Sequence, residues 1–420
     1  MGSEMCIRDR PYVPVAISAF AGRSRGKDFR PTRLTPSHNV ASKRNAVFVE
    51  TGNWLRAQWF PEKGEKFWRQ SVDREVIQTR NSVGICDVTT LGKIDIQGKD
   101  CSEFLNFVYT NAFAKLPINR VRYGLMLRED GVAYDDGTTA RLGENHFIMT
   151  TTTANAPLVL RNLEFVRQCL LPNLDVHLIS TTDSWAQYSV AGPNSRRLLQ
   201  KIVDKPKDIT NENFPFMACR ELAICGGVMA RLFRISFSGE LAYEIAVPTQ
   251  YGNALFDALL SEGQEFNAVP YGTEALGVMR IEKGHVAGNE INGQTTAQNL
   301  GLSRMISKKA DSIGNILSER EGFNGSDIAT LSGFKPVKHS QKLEAGSHLI
   351  SVGKSPTMEN DEGWLSSVAF SPTLGHYIGL GFIERGHTRV GEKVLAVNLL
   401  QNKTTEVELS LIHISEPTRP

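Results

Sequence analysis

The sequence predicts an α+β fold that ends in a small antiparallel β-barrel or sandwich. Three observations carry this. Strand-like and helix-like patterns follow one another in mixed order, with adjacent hairpins, rather than in the strict alternation of a doubly wound parallel sheet. The order meander then helix recurs loosely as strand, helix, hairpin, helix, helix. From about residue 325 onward helical periodicity fades and short strand-like runs take over.

Residues 11–45, containing FAGRSRGKDFRPTRLTPSHN, are rich in Arg, Pro, Ser and Gly and show no period. They read as a linker, or as an arm lying on another surface. The main domain is expected over 46–320 and the barrel over 325–408. Phe67, Val72, Val76 and Ile77 recur at helical spacing, and GKIDIQG alternates as a strand does. SEFLNFVYTNAF opens with a serine and a glutamate and predicts a helix. RYGLMLREDGVAYDDGTTARLGENHFIMTTTT predicts a meander, its strands separated by Glu129-Asp130-Gly131 and Gly143-Glu144-Asn145. A helix with Leu160, Leu163, Val166 and Leu170 on one stripe follows. Then come the strand WAQYSVAG, the helix NSRRLLQKIV, the hairpin VMARLFRIS/LAYEIAVP, and the helices YGNALFDALLSEG and YGTEALGVMRIEKG. KLEAGSHLI, GWLSSVAFS, HYIGLGFI and EKVLAVNLL predict the strands of the barrel.

At 420 residues the chain is too long for a typical single domain, so two or three are expected. A formal net charge of +2 gives no reason to invoke nucleic acid or a membrane surface as partner. No run of 18 apolar residues occurs. Cys86, Cys101, Cys169, Cys219 and Cys225 are scattered without a CxxC and read as reduced thiols of a cytoplasmic protein. One DNA element can encode both ends. LSLIHISEPTRP, residues 409–420, can be written so that its reverse complement reads MGSEMCIRD, the start of residues 1–10. Both segments are therefore expected to be adapter-derived and non-native. The native part would then be a gene fragment whose barrel lacks its last strand.

Phosphate-binding glycine loops and H-x-x-x-H metal spacing are absent, and no metal site is expected. His285, in EKGHVAGNE, reads as a structural histidine. Asp135-Asp136 before Gly137 reads as a turn pair, with a paired acid/base site as the sharper alternative. Thr150–Thr153 read as a strand end with a helix cap after it. In RISFSGELAYEIAVP, Leu241, Tyr243 and Ile245 share one face of a strand, and Glu240, Ala242 and Glu244 the other. Glu240 sits in a turn and reads as a solvated rim. Glu244 lies mid-strand in a segment that should be largely buried, and a buried carboxylate needs partners.

SVGICDVTTLGKIDIQG, YTNAFAKLP, RYGLMLREDG, SVAGPNSRRLL, FSGELAYEI and GVMRIEKG stand in the order found in the folate-binding aminomethyltransferase family. The chain resembles that family over residues 46–408. The family includes the glycine cleavage T-protein and C-terminal regions of dimethylglycine- and sarcosine-oxidising enzymes. DDGTTARLGENHFIMTTTTANA, VMRIEKGHVAGNEINGQTTAQNLGL and AFSPTLGHYIGLGF resemble most the sarcosine-oxidising branch, the alpha subunits of heterotetrameric sarcosine oxidases. The resemblance implies a cloverleaf of three subdomains around a channel for tetrahydrofolate. It implies that Glu244 binds the pterin ring, with Tyr243, Tyr123 and Phe237 as residues that flank or stack on it. For that branch it implies a flavin-bearing beta subunit and small gamma and delta subunits as partners. Flavin and NAD would sit elsewhere in the full complex.

Two positions depart from the T-protein pattern. Where T-proteins carry the aspartate of a TND motif, this sequence has Ala112 after Thr110 and Asn111. Where they carry an arginine four residues before the Arg of RLEAG, it has Leu276, four before Arg280. Glycine cleavage is thereby disfavoured. Two rival readings are capture by tetrahydrofolate of an imine made elsewhere in a complex, and a folate-binding module without catalytic power.

Overall fold

Apolar residues at every second position let WAQYSVA and AYEIAVP pair antiparallel, with Tyr188 opposite Ile245 and Val190 opposite Tyr243. The computed structural model describes residues 32–307 and 311–410. The expectations for 1–10, 11–31 and 411–420 lie outside the described residues. The chain opens with β1 (Arg33–Leu34), α1 (His38–Lys43), β2 (Val47–Thr51), β3 (Trp54–Trp59), α2 (Trp68–Asn81) and β4 (Gly84–Asp87). Next come β5 (Gly92–Gln97), α3 (Cys101–Val108), β6 (Arg120–Leu127), β7 (Ala133–Gly143), β8 (His146–Thr151), α4 (Ala156–Phe165) and β9 (His177–Ser180). Then follow β10 (Trp185–Ala191), α5 (Ser195–Ile202), β11 (Cys219–Ile224), β12 (Val228–Phe233), β13 (Ala242–Pro248), α6 (Gly252–Glu262), β14 (Val269–Pro270) and α7 (Thr273–Lys283). After α8 (Asn315–Ser318) come β15 (Ala329–Pro336), β16 (His348–Ser351), β17 (Asp361–Ser371), β18 (His376–Glu384), β19 (Lys393–Asn398) and β20 (Lys403–Ser410).

Two sheets dominate. One has the order β11-β12-β13-β10-β4-β14, the other β6-β7-β8-β5-β9. Each buries one face under a pair of helices. Tyr188, Val190, Tyr243, Ile245 and Val247 pack against Leu198 and Leu199 of α5 and Leu255, Phe256 and Leu259 of α6. Ile94, Ile96, Phe147 and Met149 pack against Phe104 and Leu105 of α3 and Val159 and Leu163 of α4. The period of two leaves Gln187, Ser189 and Glu244 on the far face of the first sheet. It leaves Lys93, Tyr123 and Thr150 on the far face of the second. These faces look at each other: Arg231 of β12 lies 3.8 Å from Asp95 of β5.

The arm is more ordered than its composition suggests from Thr32 onward. Arg33 and Leu34 pair in parallel with Trp54 and Leu55, and Val40 and Ala41 are buried. The Arg33 guanidinium lies 4.0 Å from the centre of the Trp54 ring. Too few apolar residues make a core of their own, but enough exist to dock on one. The barrel also differs from expectation. Six strands close it in the order β15-β18-β17-β16-β19-β20, so the predicted loss of a last strand is corrected. Gly333 pairs with Ser410 and Phe334 with Leu409, whose side chain is 1% exposed. Neither β15, with its Gly and Pro, nor the Thr- and Glu-rich β20 announced itself as a strand.

Helix α7 joins the parts. Glu282 is fully buried and takes Arg80 of α2 at 2.5 Å and the Ser371 hydroxyl of β17 at 2.5 Å. Arg280 pairs at 2.7 Å with Glu290, which is also fully buried, and donates to the Ser367 hydroxyl at 2.7 Å. Glu290 accepts in turn from Ser366 and Ser367. Removing one member of such a network leaves a buried charge unpaired. Arg80→Ala should therefore lower the unfolding free energy by about 3–5 kcal/mol in a urea titration. A loss of under about 1 kcal/mol would show that Glu282 finds other partners.

Candidate functional site

The turn before β13 reverses the chain at Gly239, whose φ of 86° favours a residue without a side chain. Glu240, expected to be a solvated rim, instead accepts from Arg80 at 2.7 Å with its side chain 13% exposed. Four residues on, Glu244 sits between Ser189 of β10 and Phe233 of β12. It is 9% exposed, and burial pushes its carboxyl above the ordinary range. Two groups oppose that push: the Gln187 side-chain amide donates to Oε2, and the Lys93 ammonium attracts the charge. Lys93 is 3% exposed and donates to the carbonyls of Thr89 (2.6 Å) and Leu91 (3.0 Å). Burial pushes its ammonium down to about 7, against the pull of Asp87 and Glu244.

A second group of polar side chains stands on the facing sheet. The Tyr123 hydroxyl donates to Asp136 Oδ2 at 2.6 Å. The Tyr123 ring centre is 5.6 Å from that of His285, and His285 is 4.9 Å from Phe237 in an edge-on arrangement. Tyr123, Asp136, His285, Phe237 and Asn111 are all partly exposed. Burial, with Lys283 and Arg280 nearby, lowers His285 to about 3 and keeps its ring neutral at physiological pH. The Asn111 amide donates to the Tyr123 carbonyl at 2.7 Å, and Arg122 donates to the Ala112 carbonyl. Thr110 Oγ1 and Asn111 Oδ1 are buried without a hydrogen-bond partner.

The structure thus links Tyr123 to Asp136 and sets Tyr123 and Phe237 beside His285, with Asn111 on the Tyr123 backbone and Glu244 on the sheet opposite. It removes Tyr243 from the set. That ring is fully buried beside Phe214 on the α5 side, and its hydroxyl accepts from Arg196 at 2.6 Å. Residues 243 and 244 point to opposite faces, so the two cannot flank one ligand. Asp135-Asp136 is no turn pair either. Both lie within β7, where Asp135 accepts from Thr152 (2.7 Å) and Asn155 (3.2 Å). The cap after Thr150–Thr153 is Asn155. Leu276 packs among Val72, Tyr271 and Met279. Sequence reasoning missed Lys93 and Gln187. Lys93 stood in an alternating strand whose polar face passes for a solvated one.

A surface hollow of about 340 Å³, lined by Leu127, Tyr134, Leu158 and Phe165, contains none of these residues. Among the described residues no group of three or more His, Cys, Asp or Glu could hold a metal ion. Among them, too, no helix is long and apolar enough to cross a membrane. The described cysteines are free thiols, Cys169 and Cys225 being exposed.

Residues 37–310 match the family described as the GCVT N-terminal domain, and residues 330–411 match the glycine cleavage T-protein C-terminal barrel domain. The chain belongs to the glycine cleavage T-protein family. It is 51% identical over 400 residues to a sarcosine oxidase subunit alpha of Rhizobium meliloti (strain 1021), covering 95% of this chain and 40% of that one. A sarcosine oxidase subunit alpha of Corynebacterium sp. (strain P-1) is 42% identical over 385 residues, with 91% and 40% covered. The chain thus spans about 40% of the length of these curated relatives. An aminomethyltransferase of Caldanaerobacter subterraneus subsp. tengcongensis is 25% identical over 384 residues, with 88% and 92% covered. In fold, the family member aminomethyltransferase T of the Bartonella henselae glycine cleavage system superposes with a TM-score of 0.77. The two are 22% identical, with 91% of this chain and 98% of that one covered.

Lys93 makes a measurable prediction within this family fold. Its folded value of about 7 lies below its ordinary 10.5. Between those values the unfolded chain holds the extra proton, so stability rises with pH, by at most about 1.4 kcal/mol per unit from this group. Thermal melts from pH 7 to 10 should show wild type gaining on Lys93→Met. Parallel curves would mean that Lys93 stays charged in the fold.

Proposed function

We propose that this chain is the C-terminal, folate-binding part of a sarcosine oxidase alpha subunit. In this reading it captures the imine from flavin-dependent sarcosine oxidation with tetrahydrofolate, giving 5,10-methylenetetrahydrofolate and glycine. The flavin belongs to a beta subunit, gamma and delta subunits complete the complex, and the assembly works in the cytoplasm. The identity of 51% along 95% of the chain to a subunit named for that oxidase supports the reading. The observation that carries the ligand is Glu244, a buried carboxylate facing a second polar sheet.

The aminopyrimidine edge of a pterin offers adjacent N–H donors, and a carboxylate has acceptor sites for both. Gln187 donates to Oε2 and the Lys93 ammonium attracts the charge, and both oppose the upward push of burial on the Glu244 carboxyl. Asn111 Oδ1, buried without a partner, fits a ligand rich in N–H groups. Tyr123 and Phe237 offer ring faces beside it. Folate supplies the nitrogens that accept the one-carbon unit, and this chain's residues hold them in place. An imine is already electrophilic, so positioning supplies much of the acceleration. That is why an alanine at 112 is compatible with activity here and not with amine expulsion in glycine cleavage.

Tetrahydrofolate titration of wild type against Glu244→Ala tests the site. A charge-assisted contact of this kind corresponds to about a tenfold or greater loss of affinity. Equal affinities would remove the central claim. In the assembled complex, Ala112→Asp should leave the yield of folate-coupled product unchanged. A marked rise would mean that the wild-type site lacks an acid it needs.

A further inference from the structure

We propose that Arg234, Arg196 and Tyr243 form a binding site for a small oxyanion, a carboxylate or a phosphate, taken from solution. The site lies on the α5 side of its sheet, where Tyr243 points, and so does not rest on the folate reading of Glu244 on the other face. Three arginines are buried among the described residues, and their charges are met differently. Arg280 pairs with Glu290, and Arg231 with Glu221 and Asp95. Arg234, the least exposed of the three at 4%, makes no ion pair with any described residue. A charge taken out of water needs such a partner.

The donors are arranged to receive one. Arg234 Nη1 donates to Asn211 Oδ1 at 2.8 Å and to the Phe214 carbonyl at 3.0 Å. Its Nε is buried without a hydrogen-bond partner, and Nη2 has no acceptor among the described residues. The Nε–Nη2 edge is thus unused, and that edge presents two parallel N–H groups to two oxygens of a carboxylate or phosphate. Tyr243 adds a third donor. Its hydroxyl oxygen accepts from Arg196 Nε at 2.6 Å, which leaves the O–H proton without a described acceptor. Burial pushes the Tyr243 hydroxyl up, against the pull of Arg196 and Arg234, so it keeps that proton. Arg196 adds a second charge. Its Nη2 donates at 3.0 Å to the same Asn211 Oδ1, so two guanidiniums share one neutral amide oxygen. Burial, and then repulsion by Arg196, push the Arg234 guanidinium down, as befits a cation without a counter-charge. Glu212, which attracts Arg196 from a distance, is exposed and is bonded by Thr210 and its own backbone. Arg196 and Asn211 are partly exposed, so the cluster touches solvent through them.

Thermal melts of the chain in inorganic phosphate and, separately, in acetate, with chloride added to hold ionic strength constant, read the binding. An anion that binds only the folded chain raises the melting temperature along a saturable curve. Wild type should show that curve with at least one of the two anions. Tyr243→Phe removes only the hydroxyl, and should need about tenfold or more anion for the half-maximal rise, as for the loss of a hydrogen bond to a charged group. Arg234→Gln should abolish the rise. If that variant fails to fold, Arg196→Gln, at the partly exposed side of the cluster, tests the charge in its place and should also weaken the response. A rise linear in anion and equal in wild type and Tyr243→Phe is exclusion of the anion from the protein surface, and overturns the proposal. So does the absence of any rise in wild type with either anion.

Discussion

A strand has two faces, and each of the two main sheets has helices enough to cover one apolar face. α5 and α6 cover one sheet and α3 and α4 the other, which leaves both far faces polar. Stacking the sheets turns those faces toward each other. The interlayer then holds Glu244, Gln187 and Arg231 on one side and Lys93, Asp95, Tyr123 and Asp136 on the other. Charges removed from water in this way need partners, and the pairings Gln187–Glu244, Arg231–Asp95 and Tyr123–Asp136 supply them. The displaced ionisation of Lys93, Glu244 and Asp136 is a consequence of that arrangement.

The barrel depends on a different set of charges. α7 carries Arg280 and Glu282 two residues apart, so on a helix they leave in different directions. Glu282 reaches Arg80 and Ser371, and Arg280 reaches Glu290 and Ser367. The barrel strand β17 thus supplies the hydroxyls that complete both ion pairs. A buried pair of this kind is weak evidence for stability but strongly constrains orientation, because the geometry must satisfy every donor at once. Glu240 shares Arg80 with Glu282, so the same network fixes the turn that leads into β13.

Much of the fold was legible. The helices α2 and α4 to α7, the meander, and the β12–β13 hairpin all followed from periodicity and turn residues, since local pattern dictates them. β15 and β20 were missed because a barrel strand with a polar outer face and a Gly or Pro carries little signal of its own. The arm was read as linker because its few apolar residues gain burial only against surfaces distant in sequence. At the site, Glu244 was legible as a carboxylate in an apolar strand. Tyr243 was misassigned because a motif gives proximity in sequence, while strand geometry sends neighbours to opposite faces. Asp135-Asp136 looked like a turn because Asp-Asp-Gly is turn chemistry, yet pairing of Gly137 with Gly124 keeps the strand straight through it.

The sequence by itself determined the α+β class, the family, the position of the buried carboxylate in β13 and the absence of an acid at Ala112. These are local properties, written in spacing and residue type. Only the tertiary structure decided that Lys93 opposes Glu244, that Tyr123 holds Asp136, and that Glu240 serves a buried arginine. Each of those contacts joins residues dozens to well over a hundred positions apart or in different strands. Their pairing is set by how two half-apolar sheets and a barrel stack, which no single stretch of chain encodes.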